Sequence, residues 1–293
     1  MAKNKIKKIA NNLLVSLLLA ILFNSCISEL DMNLPEYKPQ LVVNSFFNPD
    51  SLFLVNVSSS IGTSSKANIQ KTENAIVEIY QDEQLLELLT NTGKGIYKST
   101  NNYPKAGKEY RIKVSAVGFT TVSATSFIPE PVPIQSFTFK DSIKGDNLGG
   151  FHGELTLNFN DPSNNTNYYY LEAFLMDTSI TIKEPLFISS SDPAKDQNYF
   201  NFSGILIADK LINGNSYALS LTIDSLPPTQ QGKYNYIVNF QSVSKEYFMY
   251  KKTASLQSIN QYNPFAEPVR VYNNIESGLG IFAGFSSVKL KIK

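Results

Sequence analysis

Histidine and cysteine, the side chains that most often act as base, nucleophile or metal ligand near neutral pH, occur once each among the 293 residues. The one histidine, His152, follows two glycines and precedes a third, which predicts a surface turn. A catalytic triad would have to use this side chain, and a turn residue needs no such role. The sequence therefore predicts no histidine-based catalysis.

Paired carboxylates could still cleave a glycosidic bond, one as the acid and the other as the base or nucleophile. Glu154, Asp161 and Glu172 are the candidates. Glu154 falls on the polar face of a predicted strand, where a carboxylate is normally solvated. We favour that interpretation and predict that the chain is not an enzyme, with no catalytic residues.

Two loops are rich in oxygen-bearing side chains, as a calcium site would be. Residues 161–167 and 191–196 concentrate Asp, Asn and Ser. Neither loop has the fixed spacing of an EF-hand, and the same residue types form turns by bonding their own backbone. We favour turns and predict neither a metal nor a cofactor.

Aromatic residues are abundant, with 16 Tyr and 19 Phe, but Trp is absent. The indole ring of many sugar sites is missing, although Tyr can also stack on sugars. Most rings, as in residues 168–170, are expected in cores or cross-strand pairs. A partner surface formed by some of them is a further hypothesis.

Residues 1–25 have the organisation of a secretory signal. Four lysines precede an apolar run from Leu13 to Phe23, which is shorter than the ~20 residues of a membrane-spanning helix. Ser25 then precedes Cys26, and this ending resembles the lipobox of bacterial lipoproteins. The resemblance implies that residues 1–25 are removed and that Cys26 carries lipid, including an acyl chain such as palmitate. The alternative is an ordinary signal peptide followed by an incidental free thiol.

The charge balance argues against a nucleic-acid partner. Removal of the four lysines of residues 1–25 leaves 22 of the 26 basic residues against 25 acidic ones. No basic stripe remains, and no glycine-rich cluster joins a strand to a helix as phosphate-binding loops require. We predict no nucleic-acid partner.

Alternation of apolar and polar residues predicts half-buried strands after a tether at residues 26–40. The alternation is clearest over residues 110–116, 154–159 and 217–223. Turn residues separate such runs at short intervals, as in antiparallel sandwiches. We predict an all-β fold of two antiparallel β-sandwich-like units.

The first unit is predicted over residues 41–128 and the second over 134–293. The proline-rich link 129–133 separates them, because proline lacks the donor that a central strand needs. Residues 75–79 and 106–110 resemble the immunoglobulin-like accessory domains of carboxypeptidase-regulatory type, which implies an immunoglobulin-like first unit.

One short helix is predicted in the second unit, near residues 244–257. Ser244 can cap it, and Tyr247 and Tyr250 fall on one face. Lys251 and Lys252, with the earlier Lys245, are expected to face water.

Residues 273–280 form a candidate binding loop that leads into a closing strand. Asn273, Asn274, Gly278 and Gly280 tolerate positive φ, which allows a tight loop. Asn274, Gly278 and Gly280 are the predicted binding residues. A purely structural loop is the alternative.

Three stretches resemble uncharacterised lipoproteins of Bacteroidetes-type bacteria, a family built around a domain of unknown function and often paired with TonB-dependent receptors. They are residues 34–44, 161–169 and 263–282, and the last is the most specific. The resemblance implies an outer-membrane lipoprotein, with Glu29 and Asp31 favouring display on the cell surface. The family has no assigned catalytic residues.

Three hypotheses of function follow. The first is a non-catalytic binding or accessory subunit that works with a TonB-dependent receptor in nutrient uptake, and the scarcity of His, Cys and Trp favours it. The second is a surface sugar-binding module or hydrolase. The third is a structural envelope or adhesion protein.

Overall fold

The computed structural model describes residues 37–62, 70–144, 150–163, 165–177, 183–199, 201, 203–225 and 234–293. Within these ranges the chain forms 17 β-strands, one α-helix and one turn of 3-10 helix. The prediction of an all-β fold with a short helix is confirmed. Among the described residues, no helix has the length and apolar character needed to cross a membrane. Cys26 and the tether lie outside the described residues.

A nine-stranded sheet combines strands from both ends of the chain. Its strands are β1 (Leu41–Phe47), β2 (Leu54–Ser59), β5 (Thr90–Asn91), β6 (Ile96–Lys98), β11 (Tyr168–Asp177), β12 (Lys183–Leu186), β14 (Ile205–Ala208), β16 (Tyr234–Val243) and β17 (Leu279–Lys291). Their order is β12-β11-β16-β17-β1-β2-β6-β5, and β14 also pairs with β11.

Two four-stranded sheets cover this large sheet. One contains β3 (Ile76–Gln81), β4 (Gln84–Leu88), β7 (Glu109–Ser115) and β8 (Val122–Phe127), in the order β4-β3-β7-β8. The other contains β9 (Ile134–Lys144), β10 (Phe151–Asn160), β13 (Ile188–Ser189) and β15 (Ser216–Ser225), in the order β13-β15-β10-β9. The predicted alternation is present in β7, β10 and β15, where every second residue is buried. The fold is therefore sandwich-like, as predicted.

Each four-stranded sheet encloses its own apolar core against the large sheet. The first core includes Val43, Ile112 and Phe282, and the second includes Leu157 and Leu171. Leu290 packs against the second core, and it lies on the same face of β17 as Phe282 because side chains alternate along a strand. Two sandwiches thus lie side by side on one face of the large sheet.

The helix α1 (Lys245–Asn260) covers the opposite face of that sheet. Ile281 and Ala283, the neighbours of Phe282 in β17, cluster with Tyr247 and Phe248 of α1. Ser244 caps α1 as predicted, since its hydroxyl oxygen accepts a hydrogen bond from the Tyr247 amide at 3.2 Å.

The C-terminal strand completes the first sandwich. β17 pairs in parallel with β1, in a register that places Val43 opposite Gly280 and Ser45 opposite Phe282. Gly280 has a φ of +119°, and a Cβ there would lie 2.0 Å from the Val43 carbonyl oxygen. Residues 38–293 form one compact unit. The two-domain boundary at 129–133 and the immunoglobulin-like assignment stay predictions.

Candidate functional site

The three candidate carboxylates do not converge on one cleft. Leu155 faces the second core from one sheet, so its neighbour Glu154 points outward, where it lies 3.8 Å from the Lys140 ammonium. Leu171 faces the same core from the opposite sheet, so Glu172 points outward on the other side of the sandwich. A glycosidase places both carboxyl groups across one bond. Glu154 and Glu172 therefore cannot form that pair.

Asp161, the third candidate, is buried and holds two loops together. Its carboxylate accepts hydrogen bonds from the Tyr169 hydroxyl and, at 3.0 Å, from the Gly214 amide. Burial raises the pKa of Asp161, and burial together with the bond to Asp161 raises the pKa of Tyr169. This carboxylate has a structural role at the end of β10.

Glu172 belongs to a polar layer between the large sheet and α1. One of its oxygens accepts hydrogen bonds from the side-chain amides of Asn239 and Gln241, each at 3.0 Å. Gln241 in turn accepts a bond at 3.2 Å from the Tyr247 hydroxyl of α1. The layer orients the helix on the sheet, and its hydrogen bonds engage Glu172, one of the three candidate catalytic carboxylates.

In the two oxygen-rich loops, side chains bond the backbone of their own loop and also groups of neighbouring segments. Asp192 accepts bonds from the Ala194 amide at 2.9 Å and from the Tyr217 hydroxyl at 2.5 Å. Asp196 accepts from the Asn198 amide at 2.9 Å. Among the described residues, no group of three or more His, Cys, Asp or Glu is arranged to hold a metal ion.

His152 lies in strand β10 and not in a turn, so that prediction was wrong. It is half-buried and stands opposite Asp224 of β15. Burial raises the pKa of Asp224, and the nearby His152 opposes the rise. The glycine that follows, Gly153, lies against the Phe139 ring, which explains why a glycine is compatible with strand structure here.

Residues of the predicted binding loop make contacts within the fold. The Asn274 side chain accepts from the Phe282 amide at 3.0 Å and donates to the Phe282 carbonyl at 2.8 Å. A Cβ at Gly278 would lie 2.7 Å from a Val122 methyl carbon. Of the four residues expected to reach positive φ in this loop, only Gly280 does so. Ser277, for which no positive φ was expected, also has one, at 60°. The binding role stays a prediction, and the observed contacts join β17 to β8 and β1.

Two lysines of α1 that were expected to face water are half-buried, so that prediction was wrong. The Lys251 ammonium lies 4.8 Å from the centroid of the Tyr170 ring, a cation–π contact. Burial lowers the pKa of Lys251, and Glu172 opposes this shift. The Lys252 ammonium lies 2.7 Å from an Asp196 oxygen.

Beside α1 lies a cavity of about 480 Å³, which we call the α1 groove. Its floor is apolar and contains Tyr168, Phe248 and Met249. Its walls are residues 193–198 on one side and the 3-10 helix Asp209–Leu211 with Ala208 on the other. Lys195, Lys210 and Lys252 line it with a single carboxylate, Asp196. No local sequence pattern marks this site, because four separate segments contribute to it.

A cavity of about 550 Å³ lies at the N-terminal end of α1, next to the proline-rich link. The Glu246 carboxylate that lines it accepts a hydrogen bond at 3.0 Å from the Ser126 hydroxyl. Ser244, also in its wall, serves as the helix cap. Polar groups here serve the junction between the sandwiches, so the α1 groove is the better candidate for a ligand.

The segment that follows α1 presents two exposed rings, and we call residues 261–268 the aromatic loop. Tyr262 is 83% exposed and Phe265 is 95% exposed, while Ile259 on the last turn of α1 is 44% exposed. The sequence signal for this surface is the pair Tyr262 and Phe265. Both lie beside or near Pro264 and fit neither strand alternation nor helical spacing. The same stretch carries part of the family resemblance.

A family described as "Domain of unknown function (DUF4249)" matches residues 27–291. The chain belongs to this family. The DUF4249 match spans every described strand and both loops after α1. No curated protein matches the chain.

Similarity to solved structures is low. The crystal structure of BcpA, the major pilin subunit of Bacillus cereus, is 10% identical with a TM-score of 0.21, over 71% of this chain and 65% of the pilin. The chain thus spans less than two thirds of the pilin. The BSP domain of a biofilm associated protein is 8% identical with a TM-score of 0.20, over 92% of this chain and 62% of that one. At such TM-scores neither likeness informs the function of this DUF4249 protein.

Proposed function

We propose that this protein is an outer-membrane lipoprotein, anchored through Cys26 and displayed at the cell surface, that acts as a non-catalytic accessory subunit of a TonB-dependent receptor in nutrient uptake. The lipobox-like ending at Cys26 and the acidic Glu29 and Asp31 support the anchor and its location. The observation that carries the binding role is the aromatic loop.

The aromatic loop offers contact area that the fold itself does not use. Exposed aromatic side chains such as Tyr262 and Phe265 are the type that dominates binding energy at protein interfaces. Exposed apolar side chains that are grouped into a patch mark interaction surfaces. Their position at one end of α1, with Ile259 beside them in sequence, gives a compact contact point.

Hydrogen bonds from asparagine side chains and backbone groups hold this loop in a defined shape. The Asn263 side chain accepts from the Phe265 amide at 3.0 Å, and the Asn263 carbonyl accepts from the Ala266 amide at 3.0 Å. The Asn260 side chain donates to the Glu267 carbonyl at 3.0 Å. A pre-shaped loop loses less conformational entropy on binding than a flexible one. The rings are therefore presented as a docking point.

The non-catalytic role is supported by the positions of the candidate acids. Glu154 and Glu172 lie on opposite outer faces of one sandwich, and Asp161 is engaged by Tyr169 and Gly214. Contact with the receptor requires only the exposed surface described above.

Recovery of the receptor tests this proposal. The tagged lipoprotein is purified from outer membranes in mild detergent and the co-purifying proteins are identified, with Cys26→Ala as the unanchored control. We expect a TonB-dependent receptor in stoichiometric amount with the native chain. The paired change Tyr262→Ser with Phe265→Ser should lower its recovery at least about tenfold, because interface hot spots contribute that much or more.

The matched control changes Tyr103, 55% exposed, and Val117, 96% exposed, both to Ser on the first sandwich. This control should leave the recovery of the receptor unchanged. Recovery of the lipoprotein alone would overturn the accessory-subunit proposal, and equal loss in both double variants would overturn the assignment of the aromatic loop.

A further inference from the structure

We propose that the α1 groove binds a small organic anion, in which a carboxylate or phosphate group is joined to a compact apolar body. The α1 groove is separate from the aromatic loop, because no residue of 261–268 lines it. Its cavity of about 480 Å³ falls in the range of small-ligand sites.

The charge of the groove selects an anion. Lys252 and Asp196 neutralise each other at 2.7 Å. Lys195 and Lys210 also line the groove, and neither has a carboxylate within salt-bridge distance among the described residues. The groove therefore keeps two ammonium groups outside any described ion pair, and one further carboxylate, that of Asp209, lies near the floor at Tyr168, so lysines still outnumber carboxylates there by three to two. A cationic ligand would be repelled, and a neutral ligand would form no ion pair with either ammonium group.

The floor of the groove selects the body of the ligand. Tyr168 and Phe248 are in contact, with ring centroids 4.8 Å apart, and Met249 extends the same apolar surface. Leu211 on the rim is 64% exposed, so its side chain is available to cover a bound molecule. Burial of such surface contributes about 25 cal/mol per Å². An anion that lacked an apolar part would leave this surface in water.

The walls of the groove are built into the sheet and are not a loose lid. Lys195 forms a β-bridge with Ile207 of β14, and the Asp196 amide donates to the Leu206 carbonyl at 2.8 Å. On the other side, the Asp209 carboxylate accepts from the Asn167 amide at 2.6 Å and anchors the 3-10 helix that carries Lys210. The backbone segments that carry Lys195 and Lys210 are therefore held at fixed positions beside the floor, which limits the reorganisation that binding requires.

The test is isothermal titration calorimetry of the full chain, purified in dodecyl maltoside, with 4-phenylbutyrate as the probe. The neutral 4-phenylbutanol, the cationic 4-phenylbutylamine and acetate complete the series. We expect the phenylbutyrate to bind at least about tenfold more tightly than each of the other three. The alcohol and the amine lose the hydrogen bond between two charged groups, and acetate loses the burial of the apolar body, each of which contributes that order of affinity.

Phenyl phosphate, measured in parallel, distinguishes a phosphate site from a carboxylate site. Tighter binding of one anion identifies the headgroup. Binding of neither anion would overturn the proposal, as would equal binding of the alcohol or the amine.

Two variants locate the site. Lys195→Gln with Lys210→Gln should weaken phenylbutyrate binding by about tenfold or more, whereas the matched pair Lys98→Gln with Lys108→Gln, exposed lysines of the first sandwich, should not change it. Leu211→Ser should weaken phenylbutyrate but not acetate. Undiminished binding by the Lys195 and Lys210 double variant would place the anion elsewhere and overturn the proposal.

This measurement needs no receptor and no membrane. Failure of phenylbutyrate to bind would leave the accessory-subunit proposal standing, and failure to recover a receptor would leave the groove proposal standing.

Discussion

The loop at residues 273–280 and the aromatic loop at 261–268 follow one another along the chain, yet they use their side chains in opposite ways. In the first, Asn274 bonds the backbone of β17 and Ile275 is buried in the first core. In the second, asparagine bonds shape the backbone while Tyr262 and Phe265 stay in water. Asparagine occurs in both loops, with glycine in the first and proline in the second, and each set of residues permits a tight loop. The difference between the structural loop and the proposed docking loop is whether the large side chains pack inside the fold.

The largest effect is expected at Gly280, the point where the first loop enters β17. Gly280→Ala would place a Cβ 2.0 Å from the Val43 carbonyl oxygen at a φ of +119°. We expect the free energy of unfolding to fall by about 3–5 kcal/mol, from overpacking and backbone strain together. Urea unfolding followed by circular dichroism measures it.

Gly118→Ala is the matched control for that change. Gly118 also has a positive φ, +83°, but a Cβ there meets nothing within 4 Å. The expected loss is the strain alone, about 1–2 kcal/mol. Equal losses at Gly118 and Gly280 would contradict the close contact between β17 and β1.

Asn274→Ala comes next in size. It removes both hydrogen bonds to the Phe282 backbone, at 2.8 and 3.0 Å, and leaves these groups without their partners. The expected loss of stability is about 2–3 kcal/mol in the same unfolding experiment. A stability equal to that of the native chain would show that this loop is not held by Asn274 and would reopen its role as a binding loop.

Asn263→Ala, the corresponding change in the aromatic loop, should have a smaller effect. Its side chain accepts one exposed hydrogen bond from the Phe265 amide. We expect a loss of about 0.5–1 kcal/mol, since solvent replaces the bond. If Asn263→Ala also weakens recovery of the receptor while the free energy of unfolding changes little, the contrast between the two loops becomes sharper.

The smallest effect on stability is expected from Tyr262→Ser with Phe265→Ser. Both rings are exposed, so the free energy of unfolding should stay within about 0.5 kcal/mol of the native value. Differential scanning calorimetry is the measurement. A loss of more than 1 kcal/mol, on the order of one buried contact, would mean that these rings pack within the protein and would remove the basis of the docking proposal.

Local sequence patterns predicted the parts of the fold that depend on near neighbours. The alternation at β7, β10 and β15 appeared because each strand has one dry face, and Ser244 capped α1 because its hydroxyl reaches the Tyr247 amide within one turn. The surroundings of Lys251 could not be predicted in this way, since the Tyr170 ring beneath it comes from a distant strand.

Sequence alone determined that this chain is an all-β protein with a capped helix after Ser244 and a single histidine, because periodicity and composition are local properties. Tertiary structure alone decided that Glu154 and Glu172 face opposite sides, that Lys195 and Lys210 flank one apolar floor, and that β17 returns to pair with β1. Each of these depends on which distant segments share a sheet or a face, and the free energy that decides it comes from packing in the cores. No short run of residues contains that information.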